Sequence, residues 1–101
     1  MTPSDDLLTI ALPAELDMTA APSLHRLLRE AVDASGDLRL DADGVSVVTS
    51  PCLQILAATA LSQRARGKRF TLNSASVALR RAIEELGLTQ VLPLPQAAPT
   101  A

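Results

Sequence analysis

An α/β domain with a small, mostly parallel sheet and helices mainly on one face is the fold class this sequence predicts. Short apolar runs of strand length alternate with stretches whose apolar residues recur every three or four positions. Each of those stretches closes on a glycine, and a strand-helix-strand order requires crossovers between parallel strands. The chain has 101 residues, 48% of them hydrophobic and 20% charged, which suits a single core and is too apolar for intrinsic disorder.

Leu7-Leu8-Thr9-Ile10-Ala11-Leu12 reads as the first strand, ended by Pro13, which cannot donate to a ladder. A helix follows Leu16-Asp17-Met18-Thr19, with Ala20, Leu24, Leu27, Leu28, Ala31 and Val32 on its apolar face. Asp17 or Thr19 would cap it, Pro22 fits its first turn, and Ser35-Gly36 would end it. Leu38-Arg39-Leu40-Asp41, the turn Ala42-Asp43-Gly44 and Val45-Ser46-Val47-Val48 read as a second strand with a short extension.

Ser50-Pro51 is the strongest helix start in the chain: a serine oxygen to bond the orphan amides, then proline at the first helical position. This helix should reach about Arg66, burying Cys52 or Leu53, Ile55, Leu56, Ala60 and Ala57, with Gly67 as its left-handed stop. Phe70-Thr71-Leu72 gives a third strand behind the basic cluster Arg64, Arg66, Lys68 and Arg69. Ser74 is the expected cap of a last helix that turns Leu79, Ala82, Ile83 and Leu86 inward and stops at Gly87. Val91-Leu92 would add a brief strand or turn. The domain is thus expected over residues 7–92, between a disordered N-terminus, 1–6, and a disordered tail, 93–101, rich in proline and alanine.

Composition narrows the chemistry. Nine Lys and Arg against eleven Asp and Glu give a formal charge of −2, which argues against nucleic acid as a partner. Phe70 is the single aromatic residue, so base or flat-cofactor stacking has no platform. One cysteine and one histidine rule out an internal disulfide and a multi-cysteine or His-rich metal site. Asp41 and Asp43 near a strand end could hold Mg²⁺, but Asp43-Gly44 is explained as a turn, and no metal or other cofactor is expected. The isolated glycines form no phosphate-cradling loop. His25 on a polar helix face has no catalytic partner, so no enzyme is expected. No apolar run approaches the roughly 18 to 20 residues of a membrane helix, and Asp5-Asp6 replaces the basic start of a signal peptide. The expected location is the cytoplasm, without membrane insertion.

Thr49-Ser50 places two hydroxyls between a strand end and a helix N-terminus, where unpaired amides and the dipole favour an anion. Cys52 falls in the first turn of the same helix, where a thiol is either activated by the dipole or buried as a small apolar residue.

The order of these pieces resembles the STAS domain, the family of sulphate transporters and anti-sigma factor antagonists. The resemblance spans Leu7 to about Leu92 and rests on Leu12-Pro13-Ala14-Glu15-Leu16-Asp17, Leu40-Asp41-Ala42-Asp43-Gly44-Val45 and Thr49-Ser50-Pro51-Cys52-Leu53. Arg66-Gly67-Lys68-Arg69-Phe70-Thr71-Leu72 and Leu86-Gly87-Leu88 complete it. It implies a regulatory interaction module whose partner-binding surface comprises Asp17, Asp43, Thr49, Ser50, Pro51, Cys52 and Leu53. The family's switch is a serine or threonine phosphorylated at the third loop position, which here is Pro51; Thr49 replaces the loop's aspartate and Cys52 its glycine. A surviving phosphoacceptor would be Ser50 or Thr49. Cys52-Leu53-Gln54 is similar to STAS proteins of bacterial chemotaxis clusters, so the implied partners are an anti-sigma kinase or a chemotaxis signalling protein. The alternative is the small cytosolic subunit of a lipid-transport ABC complex, bound to its ATPase.

Overall fold

The computed structural model of the chain describes residues 7–34 and 36–94. Its elements are β1 (Leu8–Ala11), β2 (Glu15–Leu16), α1 (Ala21–Ala34), β3 (Leu38–Ala42), β4 (Val47–Val48), α2 (Ser50–Ala65), β5 (Phe70–Ala75) and α3 (Val77–Glu85). The expected disorder of residues 1–6, most of the 93–101 tail and the role of Ser35 in ending α1 fall outside the described residues.

β1, β3 and β5 form one sheet in the order β1-β3-β5, and every pairing in it is parallel. Alternation gives that sheet two unlike faces. Leu38, Leu40 and Ala42 of β3 are fully buried and join Leu72 and the inward residues of all three helices in one core cluster. Thr9, Ala11, Arg39, Asp41 and Thr71 occupy the other face, where no helix lies and each is exposed or half-buried. The helices therefore cover one face, as expected, and the core is built almost wholly from leucine, alanine and valine.

Val45 to Val48 do not extend the second strand. The chain turns at Asp43-Gly44, and Val47-Val48 pair instead with Glu15-Leu16 in a separate two-stranded parallel sheet. Sequence periodicity missed β2 because two residues carry no measurable alternation. β5 runs past Leu72 to Ala75, with a register shift opposite Leu40/Asp41 that lets Asn73 Nδ2 donate to Asp41 Oδ1 at 2.9 Å.

Two helix caps differ from expectation. Ser74 belongs to β5, and Ser76 caps α3, its hydroxyl oxygen accepting the Leu79 amide at 3.1 Å. Ser50 is the first residue of α2 rather than its cap; that position is held by Thr49 in an extended conformation, with no capping bond from its side chain. Leu27 and Leu86, placed inward by periodicity, are exposed, while Gln63 and Thr59 on α2 are buried. Val91 and Leu92 lie in a turn, with Leu92 fully buried and Arg64 donating to the carbonyls of Gln90 and Val91.

Candidate functional site

Two connections at the C-terminal ends of the strands, β2 to α1 and β4 to α2, meet to form the candidate surface. The strand pair fixes their register: Glu15 faces Val47 and Leu16 faces Val48. Hydrogen bonds then continue past the strands. The Ser46 hydroxyl donates to the Ala14 carbonyl at 3.1 Å, and the Leu16 carbonyl accepts both the amide of Thr49, at 3.0 Å, and its hydroxyl, at 3.1 Å. The Cys52 thiol donates to the Asp17 carbonyl at 3.3 Å. Thr49 and Cys52 thus tie the start of α2 to the loop before α1.

Asp17 organises that loop. Its Oδ1 accepts from the Thr19 amide at 3.0 Å, the Thr19 hydroxyl at 2.6 Å and the Ala20 amide at 3.1 Å. The Thr19 hydroxyl, followed by the backbone amides, holds the carboxyl below its ordinary value of 3.8. Asp17 is therefore ionised at neutral pH and serves as the Asx turn leading into α1.

The residues expected from sequence divide into three groups. Asp17, Thr49, Ser50 and Pro51 are brought together, and Ser50 and Pro51 are both exposed at the first turn of α2. Asp43 sits apart, exposed in the turn between β3 and β4. Cys52 and Leu53 are corrected: they are 0% and 1% exposed, part of the core cluster, so they support the surface from beneath and cannot present side chains to a partner. Burial also decides between the two readings of Cys52, which is a small packed residue with a local bond rather than an accessible thiol.

Sequence reasoning missed the apolar part of this end of the molecule. Met18 after β2, Val47 in β4 and Val77 at the start of α3 are 67%, 43% and 72% exposed. The signal was available for Val77, which falls outside the Leu79-Ile83 stripe of its helix, but not for Met18, which lies in a loop without periodicity. Among the described residues no group of three or more His, Cys, Asp or Glu could hold a metal ion, and no helix is long and apolar enough to cross a membrane.

Comparison with known proteins agrees with this architecture. A family profile described as Mlab, STAS domain matches residues 3–94. No curated protein matches the chain. Among solved structures the chain is similar to the anti-sigma factor antagonist SpoIIAA in its unphosphorylated form, with a TM-score of 0.74 and 18% identity over 95% of this chain and 84% of that one. The likeness at that identity is one of fold, whereas the profile covers nearly the whole sequence. The chain belongs to the STAS domain family.

Proposed function

We propose that this protein is a non-catalytic interaction module of bacterial signalling, cytoplasmic, and resembling an anti-sigma factor antagonist or a chemotaxis-associated STAS protein. Its docking surface is the end of the molecule formed by the loop before α1 and the first turn of α2. The observation that supports this most is the pair of bonds from Thr49 to the Leu16 carbonyl and from Cys52 to the Asp17 carbonyl, which hold two loops as one preorganised surface. Asp17 supplies its charge, Ser50 and Pro51 its exposed polar and ring contacts, and Met18 and Val47 its apolar ones.

Pro51 cannot accept a phosphoryl group, so the resemblance's switch position is closed in this chain. Of the two neighbouring hydroxyls, that of Thr49 is engaged with Leu16 and half-buried, while Ser50 is exposed. Ser50 is accordingly the acceptor if a kinase acts here, and a phosphate on it would lie at the positive end of α2.

Pro51 also favours a second reading: a surface with no acceptor at the switch position suits a permanent partner, such as the ATPase of a lipid-transport ABC complex. Affinity purification of the tagged chain from its native cells separates the two, with mass spectrometry of the partners and of the peptide containing Thr49 and Ser50. A kinase or receptor-complex protein, lost on Met18→Asp or Ser50→Asp, supports the signalling reading. A stably bound ATPase with unmodified Ser50 supports the second. Partner binding unchanged by both substitutions refutes this surface.

A further inference from the structure

On the uncovered face of the β1-β3-β5 sheet, away from the docking surface, a concavity of about 230 Å³ is lined by Leu7, Asp37, Arg39, Arg69 and Thr71. Register brings these residues together. Arg39 is paired with Thr9 on one side and Thr71 on the other, and alternation places Asp37 and Arg69 two residues earlier on the same face. Two guanidinium groups therefore share one small hollow on a chain whose formal net charge is −2. Among the described residues neither arginine forms an ion pair, the Arg66 to Asp33 pair lying between α2 and α1. Arg39 Nε is moreover buried without a hydrogen-bond partner. With Nε closed to solvent, the donors left to an anion in the hollow are the terminal N–H groups of the two arginines.

We propose that this concavity binds inorganic phosphate, in preference to sulfate. A guanidinium offers its N–H groups as a planar fork, and a tetrahedral oxyanion has enough oxygens to meet two forks, where a planar carboxylate meets one. The Thr71 hydroxyl adds a further donor. Asp37 sets the preference. Its Oδ1 accepts the Arg69 amide at 3.0 Å, leaving Oδ2 as an acceptor. Phosphate keeps a P–O–H at neutral pH that can donate to that oxygen; sulfate has no proton and meets the carboxylate only as a like charge. The inference does not depend on the proposed function, since it uses the opposite face of the sheet from the core and none of the docking residues.

The test is an NMR titration of the full chain with potassium phosphate and, separately, potassium sulfate at constant ionic strength. Saturable shifts are expected at the amides of Arg39, Arg69 and Thr71, with sulfate binding about tenfold more weakly, the value of one charged hydrogen bond. Arg39→Gln and Arg69→Gln should each weaken phosphate binding by about tenfold or more, while Arg29→Gln, which removes the same charge from α1, should leave it unchanged. Asp37→Asn should narrow the difference between the two anions. Shifts that do not saturate, that persist in Arg69→Gln, or that show sulfate binding as tightly as phosphate overturn the proposal. Should Arg39→Gln fail to fold, Arg69→Gln and the comparison of anions on the wild-type chain still decide.

Discussion

The Thr49 hydroxyl donates to the Leu16 carbonyl at 3.1 Å, the same oxygen that accepts the Thr49 amide at 3.0 Å. Thr49 occupies the cap position of α2, yet its oxygen is turned across to the neighbouring loop and bonds none of the helix's own amides. Pro51 in the first turn makes this tolerable, because it removes one of the donors a cap would have served.

The energetic consequence can be measured by urea denaturation. Thr49→Val, nearly isosteric, should cost about 1 kcal/mol for the lost interloop bond. Ser50→Ala should stay within about 0.5 kcal/mol, as expected for an exposed hydroxyl that caps nothing. Ser76→Ala, which removes the bond to the Leu79 amide, should cost about 1 kcal/mol. A loss at Ser50 equal to that at Ser76 would contradict the assignment of Thr49 as the cap.

These caps show where the sequence was legible and where it was not. Three helices, three main parallel strands and a core on one sheet face follow from apolar spacing and glycine stops, and the STAS resemblance from short motifs in order. Ser50 and Ser74 were misplaced as caps because each has Ser or Thr neighbours within two positions, and only backbone conformation decides which oxygen reaches an amide. β2 escaped because a two-residue strand leaves no pattern, and Val47-Val48 reads as strand but carries no sign that its partner is Glu15-Leu16. Helical spacing offers Cys52 or Leu53 to the core while the motif puts both on the partner surface; α2 buries both.

Gln63 illustrates a constraint that spacing alone could not reveal. It is fully buried on α2, and its Nε2 donates to the carbonyls of Gly36, at 3.0 Å, and Arg69, at 2.9 Å, tying the entries of β3 and β5 to the helix. Both partners are acceptors, so the amide nitrogen must face them, and Oε1 is left buried without a partner. Gln63→Ala takes the donor from the Gly36 carbonyl, leaves the Arg69 carbonyl with the Leu38 amide alone, and opens a cavity, and should lower unfolding free energy by about 2 to 4 kcal/mol in urea. Gln63→Glu should be at least as damaging at neutral pH, because a carboxylate cannot donate to either carbonyl.

Gly67 and Gly87 follow α2 and α3 with φ of 73° and 69°. A Cβ at either position would meet nothing within 4 Å, so the cost of substitution is confined to the backbone. Gly67→Ala and Gly87→Ala should each destabilise by about 1 kcal/mol, with Asn costing less, as measured by thermal or urea unfolding.

Asp17 gives stability a pH dependence of defined sign. Its carboxyl titrates below 3.8 in the folded chain, chiefly because of the Thr19 hydroxyl, so the carboxylate favours folding. That contribution is complete above the unfolded value and disappears as pH falls through the lower folded one. Wild type should therefore exceed Asp17→Asn in denaturation midpoint at pH 6, and the two should converge below pH 3.8. A constant difference across that range would show that the loop responds to the side chain's shape and not its charge.

Position 53 separates support of the docking surface from contact with a partner. Leu53 is 1% exposed and packed in the core cluster, so Leu53→Arg buries an unpaired charge, a change that costs several kcal/mol. It should abolish the cooperative unfolding transition and much of the helical far-UV signal, and any loss of partner binding would follow from unfolding. Met18→Arg adds the same group at a site 67% exposed and should leave both spectrum and midpoint nearly unchanged. A folded Leu53→Arg with a native midpoint would place that residue outside the core and return it to the interface. A folded Met18→Arg that loses its partner locates the contact at the apolar rim between the loop before α1 and the start of α2.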